Sequence, residues 1–274
     1  MGTKADEFDA AMRYTLTRNT PTLLASFTAE VDYATTQNIG PCEDWTAVKP
    51  RGAMSRVAAL LSGRAFVGLP LSREEKWVEA TVNYTGDVSR AWMVLRLIPW
   101  YIRPFVGAFL PQVKSLKRQR DMTEKMLAPL LAAKVSTPAE KEQKKIPGGE
   151  MIDWFRQQYK GQHTVAQLGR DQLLATFASI YNLSNALTYV VFDLAAHPEC
   201  VAELRDELDE VLKDGAAIDK QSLPKLRKLD SFVKESQRLS PPSLGKNPLA
   251  NSIGALILTI TQSTFHTLSP IPEA

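Results

Sequence analysis

Glu235 and Arg238 are the residues near the C-terminal end whose spacing most clearly favours an interaction. Residues three apart lie on the same face of an α-helix, so this carboxylate and this guanidinium can form an ion pair. An exposed pair contributes only ~0.2–1 kcal/mol to stability. A buried pair needs further partners, because burial without them is costly. The spacing predicts a helical ion pair whose importance depends on its burial.

Thiols and imidazoles are the other groups that could hold a metal. Cys42 and Cys200 are the only cysteines, which fits a reducing compartment without a disulfide framework. Acidic neighbours disfavour a thiolate at Cys42, and nothing beside Cys200 favours one. No Cys-x-x-Cys or His-Glu-x-x-His spacing occurs, and the histidines are far apart: His163, His197 and His266. We therefore predict no metal-binding residues.

The elements that position these residues are predicted to be helices. Apolar residues at helical spacing run from Thr164 to about residue 196 and stop before Pro198. This long pattern is apolar on most faces, as is typical of a helix that passes through a core. A helix after Pro198 and another from Ser222 to Leu239 follow.

Upstream, an interrupted helix is predicted over residues 6–40 and a turn followed by a helix over 45–61. Further helices are predicted over 72–97 and 110–134, with a short one over 151–159. The helix at Ser72 is predicted to begin with a capping box, because Glu75 follows Ser72 by three positions. The basic run 114–120 indicates a solvated helix face. Residues 135–149 are polar and end in Pro-Gly-Gly, which is typical of a linker. About eight helices and almost no alternating pattern predict a mainly α fold.

The composition excludes some classes of protein. The 33 basic and 30 acidic residues give a net charge of +3, too weak a bias to indicate nucleic-acid binding. The most apolar stretch, residues 253–260, is much shorter than the roughly 20 residues that span a bilayer. We expect no membrane anchor in this chain as written.

Three phrases, in this order, resemble the cytochrome P-450 superfamily of haem-thiolate monooxygenases. The first covers residues 173–188 and runs into 193–198, the second covers 223–230, and the third, 232–241, contains Glu235 and Arg238. Upstream phrases at residues 68–71 and 103–111 are similar to the filamentous-fungal branch that serves secondary metabolism. The resemblance covers about residues 20–243.

The resemblance implies the incomplete helical half of the cytochrome P-450 fold, with a long central helix at about residues 164–196. On that helix the family has a small pair, an acid and a threonine that relays protons to dioxygen. Matching register places Ala178 and Ser179 at the small pair, as haem-facing candidates, and Tyr181 and Asn182 at the acid and the threonine. Ser184 is two residues further on, about 200° away around the helix. We therefore assign no catalytic residue, and ordinary helix packing is the alternative interpretation of Tyr181 and Asn182.

The resemblance also implies a cofactor, partners and a role. Intact members hold haem through a cysteine downstream of the third phrase, receive electrons from NADPH-cytochrome reductase and oxidise or hydroxylate a lipophilic substrate. In them Glu235 and Arg238 would form a buried structural brace with a third residue. Intact relatives are expected at the endoplasmic reticulum membrane, and this chain as written in the cytoplasm.

We expect a chain truncated at both ends, with a partial helical domain over residues 1–243 and a divergent tail over 244–274. Because the ligand cysteine is not found after the third phrase, we expect no haem-thiolate activity from this chain, and a partly exposed Glu235/Arg238 pair. The alternatives are a non-enzymatic helical interaction protein and a decayed or misannotated gene product.

Overall fold

A computed structural model describes residues 17–42, 44, 46–99, 101–102, 109–133, 151, 164–212, 218–219 and 221–241. Seven α-helices lie in these ranges: α1 Thr17–Asn38, α2 Pro50–Phe66, α3 Glu75–Arg96, α4 Pro111–Ala133, α5 Val165–Ala196, α6 Glu199–Val211 and α7 Arg227–Leu239. Short 3₁₀ turns precede α3 at Leu71–Arg73 and α7 at Leu223–Lys225. No strand occurs in the described ranges, and the predicted mainly α fold is confirmed.

The chain divides into two compact units. One comprises Met1–Leu16 and Ser62–Ile180, and the other comprises Thr17–Leu61 and Tyr181–Ala274. The divisions at Ser62 and at Tyr181 fall inside α2 and α5, so the chain passes from one unit to the other within helices.

The first unit is built around the packing of α3 on α4. Asp87 of α3 is buried and accepts hydrogen bonds from Arg90 Nη2 at 2.6 Å and from Gln119 Nε2 of α4 at 3.2 Å. Burial by itself raises the pKa of Asp87. Hydrogen bonds from Ser115, Arg90 and Gln119, with the charge of Arg90, nevertheless bring that pKa below its ordinary value. The carboxylate therefore joins the two helices as an anion.

At the end of α2, the same unit has a close contact at a glycine. A Cβ on Gly63 would lie 3.2 Å from Ser72 Cβ and 3.3 Å from Trp77 Nε1. Ser72 and Trp77 are both fully buried. The missing side chain of Gly63 lets the turn at Leu71–Arg73 and the first turn of α3 approach α2.

The second unit contains α1, most of α2, the C-terminal half of α5, α6 and α7. Arg56 of α2 donates to Asn38 Oδ1 at the end of α1, at 2.7 Å. Helix α6 packs on α7, and each buries residues one turn apart, Leu204 and Leu208 on α6 and Leu229 and Val233 on α7. This spacing of buried leucine and valine is the helical periodicity that the sequence shows.

Two predicted helix starts are wrong. Ser72 does not cap α3: it lies in the 3₁₀ turn, buried against Gly63, and the N-cap position belongs to Glu74, with no side-chain capping hydrogen bond. The last helix does not begin at Ser222, because residues 223–225 form a 3₁₀ turn and Leu226 separates it from α7. A proline lies two residues from each predicted start, Pro70 before Ser72 and Pro224 after Ser222, and in both places a 3₁₀ turn precedes the helix.

The remaining predicted helices, the basic run and the linker have different outcomes. The helices at 45–61 and 110–134 correspond to α2 and α4, and the long helix at 164–196 to α5, whose 32 residues confirm it. The charged residues of the basic run, Lys114, Lys117, Arg118 and Arg120, are exposed as expected. The linker at 135–149, nearly all of the helix at 151–159 and the tail at 244–274 lie outside the described residues. Among the helices described, none combines the length and apolarity of a membrane-spanning segment.

Candidate functional site

Helix α5 carries four of the candidate residues. The helix is capped at its N-terminus, because Thr164 Oγ1 accepts the amide hydrogen of Gln167 at 3.2 Å. Its middle is held by a buried apolar stripe that includes Leu173, Ile180, Leu183 and Leu187. The candidate residues are therefore placed on a well-anchored helix.

The two residues of the small pair have different surroundings. Ser179 Oγ shares a hydrogen bond of 2.7 Å with Ser62 Oγ at the end of α2. Ala178 is half-buried and lies 100° away around the helix. Ser179 is thus turned towards α2, whereas Ala178 belongs to a neighbouring face.

Tyr181 and Asn182 share the face of Ala178. At 100° per residue, they lie about 60° and 40° from Ala178, and Leu174 lies about 40° from it. Tyr181 and Asn182 are half-buried and Leu174 is exposed, although its neighbour Leu173 is 1% exposed. One side of α5, defined by Leu174, Ala178, Tyr181 and Asn182, is therefore less covered than the opposite side. We call it the open face of α5.

Two hydroxyls further along α5 donate hydrogen bonds to the backbone of that helix. Ser184 Oγ donates to Tyr181 O at 3.3 Å, and Thr188 Oγ1 donates to Ser184 O at 2.6 Å. Both residues are buried. Neither hydroxyl is placed to substitute for an alcohol at residue 182.

Glu235 and Arg238 form the predicted pair on α7. Arg238 Nε donates to Glu235 Oε2 at 2.8 Å, and Arg238 Nη2 donates to Glu235 Oε1 at 2.6 Å. These hydrogen bonds and the positive charge of Arg238 lower the pKa of Glu235. The two side chains are 55% and 66% exposed, while the residues beyond 243, on which the expected partial exposure depends, lie outside the described part of the chain. The family's buried brace with a third residue stays a prediction.

The cysteines lie in positions that suit spectator thiols. Cys42 follows α1, and its Sγ is 3.8 Å from the carbonyl oxygens of Ile39 and Gly40. Cys200 lies in the first turn of α6, beyond the end of α5. From Asn182 to the last residue of α5 the axis rises about 21 Å, so Cys200 is too far along to bind a metal beside Asn182. Among the described residues no group of three His, Cys, Asp or Glu side chains could hold a metal ion.

A family model for cytochrome P450 matches residues 44–248. The chain belongs to the cytochrome P450 family. Cytochrome P450 monooxygenase ataF of Aspergillus terreus is 62% identical over 248 residues, which cover 90% of this chain and 50% of the relative. Cytochrome P450 monooxygenase gliF of Aspergillus fumigatus is 61% identical over 255 residues, covering 90% and 51%. The resemblance stated from the sequence is confirmed.

A third cytochrome P450 monooxygenase, ascG of Acremonium egyptiacum, is 35% identical over 286 residues, covering 98% of this chain and 52% of the relative. The chain spans about half the length of the curated relatives it matches. Its family match extends to residue 248, five residues beyond the point where the sequence was expected to diverge.

Haem, the cofactor of cytochrome P450 enzymes, fits these residues in part. Ala178 has a small, half-buried side chain on the open face, as a helix that approaches a flat ring requires. Neither Cys42 nor Cys200 lies on α5, since Cys42 follows α1 and Cys200 belongs to α6. The cysteine thiolate that would bind the iron is therefore not matched. The fit to haem therefore concerns the small residue Ala178 on α5, and among the described residues no cysteine shares that helix.

Two contacts at these elements were not found from the sequence. Ser62 is 117 positions from Ser179, and nothing in either segment indicates their hydrogen bond. Glu207 of α6 accepts hydrogen bonds from amides in the first turn of α7. The sequence indicates this contact only indirectly, because the side chain of Leu226 cannot cap that helix.

Proposed function

We propose that this chain forms the helical half of a haem-dependent monooxygenase that oxidises or hydroxylates a lipophilic secondary-metabolite intermediate. The match to cytochrome P450 over residues 44–248 carries the proposal. The fungal monooxygenases ataF and gliF, each more than 60% identical, support the reaction class. Residues 1–243 would form the partial helical domain and residues 244–274 a divergent tail.

In the intact enzyme the open face of α5 would border the haem, which supplies dioxygen activation when bound. Ala178 would let the ring approach, and it is a better haem-facing candidate than Ser179, whose hydroxyl is bonded to Ser62. Asn182 would occupy the position of the proton-relaying threonine. Its carboxamide donates and accepts hydrogen bonds but does not pass on a proton as a hydroxyl does. Tyr181 and Asn182 would therefore position groups on this face.

The intact enzyme would take electrons from NADPH-cytochrome reductase and work at the endoplasmic reticulum membrane. Both proposals follow from family membership. The lipophilic substrate likewise follows from family membership, and the exposed Leu174 on the open face is compatible with it.

We further propose that these 274 residues alone do not form a haem-thiolate centre. The placement of Cys42 after α1 and of Cys200 at the start of α6 supports this. The test is expression with haem supplied, followed by the difference spectrum of the reduced, carbon-monoxide-bound protein. We expect no thiolate-type Soret band. A band that disappears in Cys200→Ser or Cys42→Ser would overturn the proposal and identify the ligand.

The proposed family role is tested by a chimera in which residues 20–243 replace the matching region of ataF. We expect the chimera to bind haem with a thiolate-type band, because the rest of ataF completes the protein. Absence of the band, with unmodified ataF as a positive control, would contradict the assignment. In a working chimera, Asn182→Thr should raise the product formed per NADPH consumed, and Asn83→Thr, at an exposed position of α3, is the matched control.

A further inference from the structure

Helix α7 begins without a capping side chain of its own. Its N-cap position is Leu226, which makes no side-chain capping hydrogen bond and is fully buried. Leucine is among the poorest N-cap residues, because it offers no acceptor to the free amides of the first turn. Those amides need an acceptor from elsewhere in the fold.

Glu207 of α6 supplies this acceptor. Its Oε1 accepts the amide hydrogen of Lys228 at 2.8 Å, and its Oε2 accepts that of Leu229 at 2.9 Å. Each carboxylate oxygen thus accepts a hydrogen bond from one of two consecutive amides at the positive end of the α7 dipole. Glu203, one turn earlier on α6, contacts the same lysine only through its ammonium, with Lys228 Nζ 3.3 Å from Glu203 Oε2.

The segment that leads to α7 is also fixed, by hydrogen bonds within a turn. Asp219 Oδ1 accepts the amide hydrogens of Ser222 at 2.7 Å and Gln221 at 2.9 Å, while Ser222 Oγ accepts that of Asp219 at 2.8 Å. The hydrogen bond from the Ser222 amide is the main cause that lowers the pKa of Asp219. This turn shapes the approach, and Glu207 then holds the first turn of α7 to α6.

We propose that Glu207 is a positioning residue for the helix that carries Glu235 and Arg238. Glu207 caps α7 from the neighbouring helix α6. It thereby fixes the position at which α7 starts relative to Leu204 and Leu208, the buried residues of α6. The pair lies two turns further along the same helix, so its orientation depends on that start. Only the importance of the pair rests on the proposed function, since the capping itself is a property of this chain.

Amide hydrogen exchange of the whole chain, followed residue by residue, tests the proposal. In Glu207→Ala we expect exchange at Lys228 and Leu229 to accelerate about tenfold or more, since two charge-assisted hydrogen bonds are lost. Exchange should also accelerate along α7 as far as Arg238. Glu207→Gln, which keeps one carbonyl oxygen, should show a smaller acceleration at both amides.

Two matched variants control for charge and for the surface pair. Glu210→Ala removes an exposed carboxylate from the same helix, and Glu203→Ala removes the contact with Lys228 Nζ. Both should leave the two amides unchanged. Circular dichroism would verify that each variant is folded, and Glu207→Gln replaces Glu207→Ala if the latter unfolds.

Unchanged exchange at Lys228 and Leu229 in Glu207→Ala would overturn the proposal, as would equal acceleration in Glu203→Ala. Acceleration confined to those two amides, with residues 235–238 unaffected, would reduce Glu207 to a local cap and would also contradict a positioning role. Failure of the monooxygenase assignment is detected separately, by the chimera's spectrum.

Discussion

Two ion pairs in this chain share their spacing, their closest distance and an exposed arginine, but their carboxylates differ in burial. Asp87 with Arg90 on α3 and Glu235 with Arg238 on α7 are each three residues apart and 2.6 Å at their closest. The carboxylate side chain is 9% exposed at Asp87 and 55% exposed at Glu235. Asp87 also accepts from Gln119 on α4. Spacing along a helix produces both pairs, but burial and a partner on a second helix make only the first one join two elements.

The largest difference between the two pairs should appear when the carboxylates are removed. Asp87→Ala leaves half-buried donors of Gln119 and Ser115 without their acceptor, so we expect it to lower the free energy of unfolding by about 1–2 kcal/mol. In Glu235→Ala the guanidinium of Arg238 stays solvated by water, so we expect no measurable change in the free energy of unfolding. Urea unfolding of both variants measures this. Equal losses would show that burial does not distinguish the pairs.

The same contrast can be tested without charge, on two glycines of α2. Gly63→Ala would place its Cβ 3.2 Å from Ser72 Cβ, whereas no heavy atom lies within 4 Å of a Cβ at Gly52. We expect Gly63→Ala to destabilise the chain by about 1–2 kcal/mol through overpacking. Gly52→Ala should stabilise it by up to about 1 kcal/mol, because alanine favours the helix. Thermal unfolding of the two variants side by side provides the comparison, and a neutral Gly63→Ala would show that the contact can relax.

Acidification should lower the free energy of unfolding by less than removal of the Asp87 carboxylate does. The pKa of Asp87 is lowered in the folded chain, so its carboxylate stabilises the fold above the pKa of the unfolded chain. That contribution begins to fall near the ordinary aspartate pKa of about 4 and is lost as the pH falls through the lower folded value. We expect the difference in unfolding free energy between the unmodified chain and Asp87→Asn to shrink across this window. A constant difference would argue that the interaction does not depend on the anion.

The smallest effect is expected from the coupling of Glu235 with Arg238. A double-mutant cycle with Glu235→Gln and Arg238→Gln should give additive changes in unfolding free energy, since exposed pairs couple weakly. Clear coupling in this chain would mean that the pair already acts as a brace without a third residue.

The elements that were predicted well are those determined by local pattern. Helix α5 follows from a long apolar run with Thr164 before it and Pro198 after it, and these features need no distant partner. The helices α2 and α4 follow in the same way. The family was also recognisable, because its phrases lie on α5 and α7, where order and spacing survive.

The parts that were predicted poorly depend on contacts between distant segments. The spacing of Ser72 and Glu75 favours a capping box, but burial of Ser72 against Gly63 and Trp77 moved the helix start to Glu75. The same holds for the site. Ser179 was grouped with Ala178 by register, and its hydrogen bond to Ser62 separates the two. Capping of α7 by Glu207 likewise involves a residue 21 positions away.

The placement of the divisions between the two compact units has a practical consequence for dissecting the protein. Both divisions occur within helical backbone, after Leu61 in α2 and after Ile180 in α5. Proteases cut preferentially at exposed loop tips. Limited digestion is therefore not expected to release either unit by cleavage at 61–62 or 180–181, and expression boundaries chosen there would leave each piece ending in the middle of a helical turn.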